Sequence, residues 1–196
     1  MTTTTWIVIL VPLLLFGWLI AQIMPTPRDR QLARLRSRAR ALDMGVGVSQ
    51  LADPDPDASA RVSSGGEARS PKLDVAVYSR YFRLPAGIER RHVPLWRVLW
   101  MRHHADEVMV AGLPAGWRFD RPGLPLVAPV LAQLSALLAR APTGTASVEG
   151  MASGCSLSWR ERGSEQEVEA IRALLDDITA LQLDLARAAA RREPDD

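Results

Sequence analysis

The sequence predicts an α+β protein: one N-terminal transmembrane helix, then a small mixed domain with a largely antiparallel sheet of about four to six strands and two or three helices. Three observations predict it. Residues Trp6 to Met24 run nineteen positions without a charge. Several later segments alternate apolar and polar residues with the period of a strand. A long C-terminal stretch then carries an apolar stripe with helical spacing.

The first element is WIVILVPLLLFGWLIAQIM. At roughly 1.5 Å per residue it is long enough to cross about 30 Å of hydrocarbon. Pro12 and Gly17 are common residues in membrane helices, and Trp6 sits at an end where an interfacial indole is expected. A cleaved signal peptide would need a basic start and a small-x-small cleavage site. Residues 1–5 carry no Lys or Arg, and Ala21-Gln22-Ile23 is a poor site. Arg28, Arg30, Arg34, Arg36, Arg38 and Arg40 follow the run, and positive charge retains its side in the cytoplasm. The expected layout is therefore an anchor over 1–25, N-terminus out, a basic juxtamembrane helix over 26–44, a cytoplasmic α+β domain over 45–192, and a tail over 193–196.

Within 26–44, Leu32, Leu35, Ala39 and Leu42 recur at steps of three and four, a narrow stripe on an arginine-covered helix. Pro27 suits its first turn and Gly45 its end. Such a helix can lie on anionic headgroups or pack its leucines on the domain, and the two are compatible. Val46 and Val48 alternate as a short strand, which Leu51 extends. Residues 52–72 hold three prolines and two adjacent glycines and bury too little to offset their ordering, so they read as a disordered loop within the domain.

LDVAVYSRYFRL, residues 73–84, is the strongest strand pattern, with Leu73, Val75, Val77 and Tyr81 on one face and Asp74 and Arg80 on the other. PLWRVLWM, residues 94–101, is apolar on both faces, as a central strand is. A short strand at 108–110 and a turn at 113–116 lead to Trp117 and Phe119. Leu124 to Arg140 reads as a helix, with Pro129 implying a later start or a kink. Ala146–Met151 and Cys155–Glu161 form a hairpin around Ser153-Gly154. Ser164-Glu165-Gln166-Glu167 is a capping box, after which Val168, Ile171, Leu174, Leu175, Ile178, Leu181 and Leu185 keep helical spacing. The stripe is wider than a coiled-coil seam, so packing on the sheet is expected.

The layout of residues 6–43, a span followed by Pro27-Arg28-Asp29-Arg30-Gln31 and an arginine-rich helix, resembles the small accessory subunit of the bacterial Sec preprotein translocase. That family carries Gly-Asp and Gly-Gly signatures in its next strand, where this chain has MGVGVSQLADP. The resemblance implies an accessory role in a membrane complex and transfers no residue role.

Composition excludes several classes. A formal charge of +2 is close to balance, and 23 of the 24 basic residues are arginine, so the local basic helix rather than the whole chain carries the positive field. Membrane proximity offers that helix a simpler partner than nucleic acid does. The single cysteine, Cys155, rules out an intrachain disulfide or a cysteine metal cage. Its alternation with Leu157 and Trp159 places it on an apolar face, where a thiol behaves as a small hydrophobe.

His103, His104, Asp106 and Glu107, with His92 nearby, are the only residues resembling metal ligands. Adjacent histidines on a strand point to opposite faces, so a solvated strand end is the plainer reading. The glycine and serine motifs at 45–50, 142–145 and 150–154 fail on spacing. The expectation is a bacterial inner-membrane protein whose domain acts by binding, as a non-catalytic accessory or scaffold with no cofactor. Its expected partners are the lipid bilayer, anionic headgroups at the six arginines, and another membrane protein. A membrane-anchored metal-dependent hydrolase and a tethered nucleic-acid-binding regulator are the rival classes.

Overall fold

Six segments draw together into one sheet because each satisfies its backbone through its neighbours, and all but the first also bury side chains on at least one face. In a computed structural model, residues 26–57, 70–102, 112–121 and 127–192 are described, with single positions 13, 15, 18, 24, 60, 62, 66 and 67. The elements are α1 (Pro27–Ala41), β1 (Gly45–Ala52), β2 (Lys72–Tyr81), β3 (Trp96–Trp100), β4 (Trp117–Phe119), α2 (Ala128–Leu138), β5 (Thr145–Met151), β6 (Gly154–Trp159) and α3 (Glu165–Ala190). Strand order is β1-β2-β6-β5-β3-β4, and every neighbouring pair is antiparallel. The chain divides into two units, residues 1–34 and 35–196.

The expected transmembrane helix is corrected: no helix among the described residues is long and apolar enough to cross a membrane. The physical reasons are plain in each. At 15 residues α1 is short and studded with arginine, and α2 has only 11 residues. Only α3, with 26 residues, has the length, and one side of it is lined with Glu, Asp and Arg. The run at 6–24 contributes only Leu13, Leu15, Trp18 and Met24 to the described residues; Trp6 and the rest of it lie outside them. The described fold is an antiparallel α+β domain.

The core lies between one sheet face and the helices. Ala76, Tyr78, Cys155, Leu157, Trp159, Val148, Val98 and Trp96 meet Val168, Ile171, Leu174, Leu175 and Ile178 of α3. Leu134 and Leu138 of α2 and Leu35 and Ala39 of α1 close its flanks. In β2 the better buried face is therefore that of Ala76 and Tyr78, while Tyr81 is 64% exposed. The Tyr78 ring is fully buried against Trp159, with centroids 6.0 Å apart in an edge-on arrangement.

Two glycines allow this layering. A Cβ on Gly150 would stand 2.5 Å from Trp96 Nε1, and one on Gly154 would stand 2.4 Å from the Arg80 carbonyl oxygen. Pro129 falls in the first turn of α2, which is why that helix begins at Ala128 rather than near Leu124. At the start of α3, Ser164 and Glu167 form the capping box, the Ser164 N–H donating to Glu167 and the Gln166 N–H to Ser164 Oγ.

Candidate functional site: a basic helix fastened by a buried carboxylate

Helix α1 opens on a reciprocal cap. The Thr26 N–H donates to Asp29 Oδ2 at 2.9 Å, and the Asp29 N–H donates back to Thr26 Oγ1 at 3.2 Å. The Thr26 hydroxyl and backbone bonds hold the Asp29 carboxyl below the usual carboxylate range. The helix stops without glycine: Asp43 adopts φ 59°, a left-handed conformation that a short polar side chain tolerates. That places the Asp43 carboxylate 2.7 Å from Arg80 Nη1, which also donates to the Asp43 carbonyl at 3.0 Å.

The six arginines divide into two groups. Arg36 donates through Nε and Nη2 to both oxygens of Glu161, whose side chain is only 5% exposed. Tyr78 donates its hydroxyl to the same carboxylate at 3.0 Å. Arg38 is ion-paired with Glu169 on α3. By contrast, Arg28, Arg30, Arg34 and Arg40 are exposed and make no ion pair among the described residues. Helical spacing explains the division, since Arg36 flanks the buried stripe of Leu35 and Ala39 while Arg30, Arg34 and Arg40 point away from it.

Glu161 is the centre of the fastening. It stands two residues past the end of β6 and takes φ 49°, a strained conformation for glutamate that turns its side chain inward. A bidentate arginine and a phenol satisfy the buried charge, as such a charge requires. Hydrogen bonding to Glu161 raises the Arg36 pKa further. Burial, reinforced by the Glu161 charge, pushes Tyr78 well above the ordinary phenol range, so the hydroxyl remains a donor. Nothing near Glu161 in sequence signals this role, because its partner lies 125 residues away.

A second concavity, a cleft of about 590 Å³, opens where β3 and β5 meet. Arg97 stands directly opposite Glu149 across the strands and 3.9 Å from Asp120, with Arg121 alongside and Leu95 and Met151 as apolar walls. Its two arginines and two carboxylates offset one another, and among the described residues no histidine or thiol lines it.

Of the metal candidates, His103, His104, Asp106 and Glu107 lie outside the described residues. His92 accepts the Glu89 N–H on Nδ1 at 3.0 Å, which closes a single helical turn. Among the described residues no group of three His, Cys, Asp or Glu could hold a metal ion.

Cys155 is fully buried, with Sγ 3.2 Å from both the Leu175 carbonyl and the Thr179 hydroxyl. Burial raises its thiol to about 11. The folded state thus holds this proton more tightly than the unfolded chain does. Its contribution to stability is complete below the unfolded thiol pKa and is lost as pH rises from about 9 towards 11. We expect Cys155 to resist thiol reagents at pH 8 until the chain is denatured. Rapid labelling of the native protein would contradict its placement.

No family model, curated protein or solved structure matches the chain.

Proposed function

We propose that this protein is a non-catalytic binding module working at the cytoplasmic face of a bacterial inner membrane, where α1 meets anionic headgroups and the sheet domain serves as an accessory or scaffold. One observation carries the reading. Of six arginines on one helix, Arg36 and Arg38 are spent on holding the helix to the domain, and Arg28, Arg30, Arg34 and Arg40 are left facing water. Arginine presented in this way suits phosphate groups, each contributing about 1 kcal/mol near an anionic surface. Support comes from the segment just before it: Leu13, Leu15, Trp18 and Met24 are each more than half exposed. Apolar side chains so exposed favour an apolar surrounding over water.

The test is flotation of the full-length chain with vesicles at limiting lipid. Phosphatidylcholine vesicles are compared with vesicles that also contain phosphatidylglycerol. Replacing Arg28, Arg30, Arg34 and Arg40 by glutamine is expected to remove the preference for the anionic vesicles, a loss of about a hundredfold or more. Binding to pure phosphatidylcholine is expected to stay unchanged. An undiminished anionic preference in the variant would refute the assignment of those arginines.

A further inference from the structure

The two edges of the sheet are protected unequally. At one side β4 is three residues long and carries Arg118 in its middle, two of the devices by which proteins blunt an edge. At the other side β1 runs eight residues, GVGVSQLA, with no charge and no proline. Its register against β2 is continuous from Gly45–Ser79 to Ala52–Lys72, so no bulge twists it away.

The orientation of its backbone follows from the continuation of the ladder. The Asp53 N–H donates to the Pro71 carbonyl at 2.9 Å, which extends the same register. Alternation then turns Gly45, Gly47, Ser49 and Leu51 towards β2 and leaves the peptide groups of Val46, Val48, Gln50 and Ala52 pointing outward. None of these outward groups makes a backbone hydrogen bond among the described residues. Val48 is 65% exposed. Among the described residues these four outward donors and four outward acceptors have no partner, and such an edge on an uncharged strand is a template for strand addition.

We propose that β1 pairs antiparallel with β1 of a second copy of this chain, in the register that sets Ser49 opposite Ser49. Three features of the strand suit a copy of itself. This register uses every outward group, pairing Val46 with Ala52 and Val48 with Gln50 for about eight interchain hydrogen bonds. On one face it meets small residues with others of modest size, Ser49 with Ser49 and Gly47 with Leu51, so no bulky or like-charged pair collides.

The ends are complementary as well. Arg40, Arg80 and Arg172 against Asp43 and Asp176 leave the Gly45 end positive, and Asp53 and Asp74 against Lys72 leave the Ala52 end negative. Antiparallel pairing brings each positive end to the other copy's negative end, the self-complementary arrangement of a two-fold interface. The inference rests on the β1 backbone edge and shares only Arg40 with the arginine surface, so its failure would leave that reading intact.

The experiment uses the full-length chain in mild detergent. Opposite residues of a non-hydrogen-bonded pair have Cα atoms about 4.5 Å apart, within disulfide range. Mild oxidation of Ser49→Cys should therefore give a covalent dimer about tenfold faster than Gln50→Cys, whose two copies stand two rungs apart. Buried Cys155 should leave the parent chain uncrosslinked. Sedimentation should show the parent mass rising from monomer to dimer with concentration. Val48→Pro, which deletes an outward N–H on an edge that tolerates proline, should keep its far-UV spectrum and stay monomeric. Equal crosslinking at 49 and 50 would overturn the proposal. So would a parent chain that stays monomeric, as capture of a foreign strand by this edge would leave it, or a dimer that Val48→Pro leaves intact.

Discussion

Replacing Glu161 by alanine is expected to cost about 3 kcal/mol and to lower the melting temperature by about 10 °C. Glu161 takes both guanidinium bonds of Arg36 and the hydroxyl of Tyr78, so its loss orphans three donor groups on two residues together. The magnitude sits at the low end for a broken buried pair, because Arg36 keeps 29% of its side chain in water. Tyr78 has no such outlet, being fully buried.

The damage should also be local. The C-terminal half of α1 would lose its best-buried polar fastening and keep Leu35, Ala39, the exposed Arg38–Glu169 pair and the bonds of Arg172 and Arg80 to Leu42 and Asp43 at its end. Amide exchange over residues 35–41 should accelerate by more than the global loss of stability accounts for. The double variant Arg36→Ala, Glu161→Ala should be less damaged than the two single effects summed, since it leaves no unpaired charge. Thermal unfolding of the three variants checks this, and strict additivity would contradict the shared network.

Trp159→Ala is expected to be at least as severe, about 4 kcal/mol. Its indole is fully buried, lies edge-on to Tyr78, and donates Nε1–H to the Thr143 carbonyl at 2.9 Å. Alanine therefore leaves both a cavity beneath α3 and an unpaired carbonyl. Trp159→Phe keeps most of the packing and loses mainly that hydrogen bond, so about 1–2 kcal/mol is expected. Chemical denaturation separates the two, and equal losses would mean that the hydrogen bond, not the ring, carries the effect.

What could be read from the sequence was local. The capping box at Ser164–Glu167 and the tight hairpin of β5 and β6 are written in residues three or four positions apart. The two-sided burial of β3 is visible in its uninterrupted apolar run.

What could not be read depends on distant partners. Strand β1 extends over Gly45–Ala52 because β2 pairs with it along its whole length, although Gly, Ser and Gln give little local strand signal. Helix α1 ends at Ala41 with Asp43 in the left-handed stop position, its carboxylate held by Arg80, whereas Gly45 is the conventional stop in the sequence. The division of the six arginines needs Glu161 and Glu169, more than 120 residues away. A transmembrane helix drawn from hydropathy alone has no counterpart among the described residues, where every helix is too short or too charged.

On the function proposed here, the outer side of α1 is a membrane-facing surface while its inner side belongs to the domain. Ser37 is exposed on that outer side and is not one of the arginines. A polarity-sensitive dye attached to Ser37→Cys in the full-length chain reports directly, since Cys155 is buried and resists labelling. Vesicles containing phosphatidylglycerol should shift its emission to the blue, and salt should reverse the shift by screening. Emission that stays at its aqueous value on vesicle-bound protein would contradict the claim.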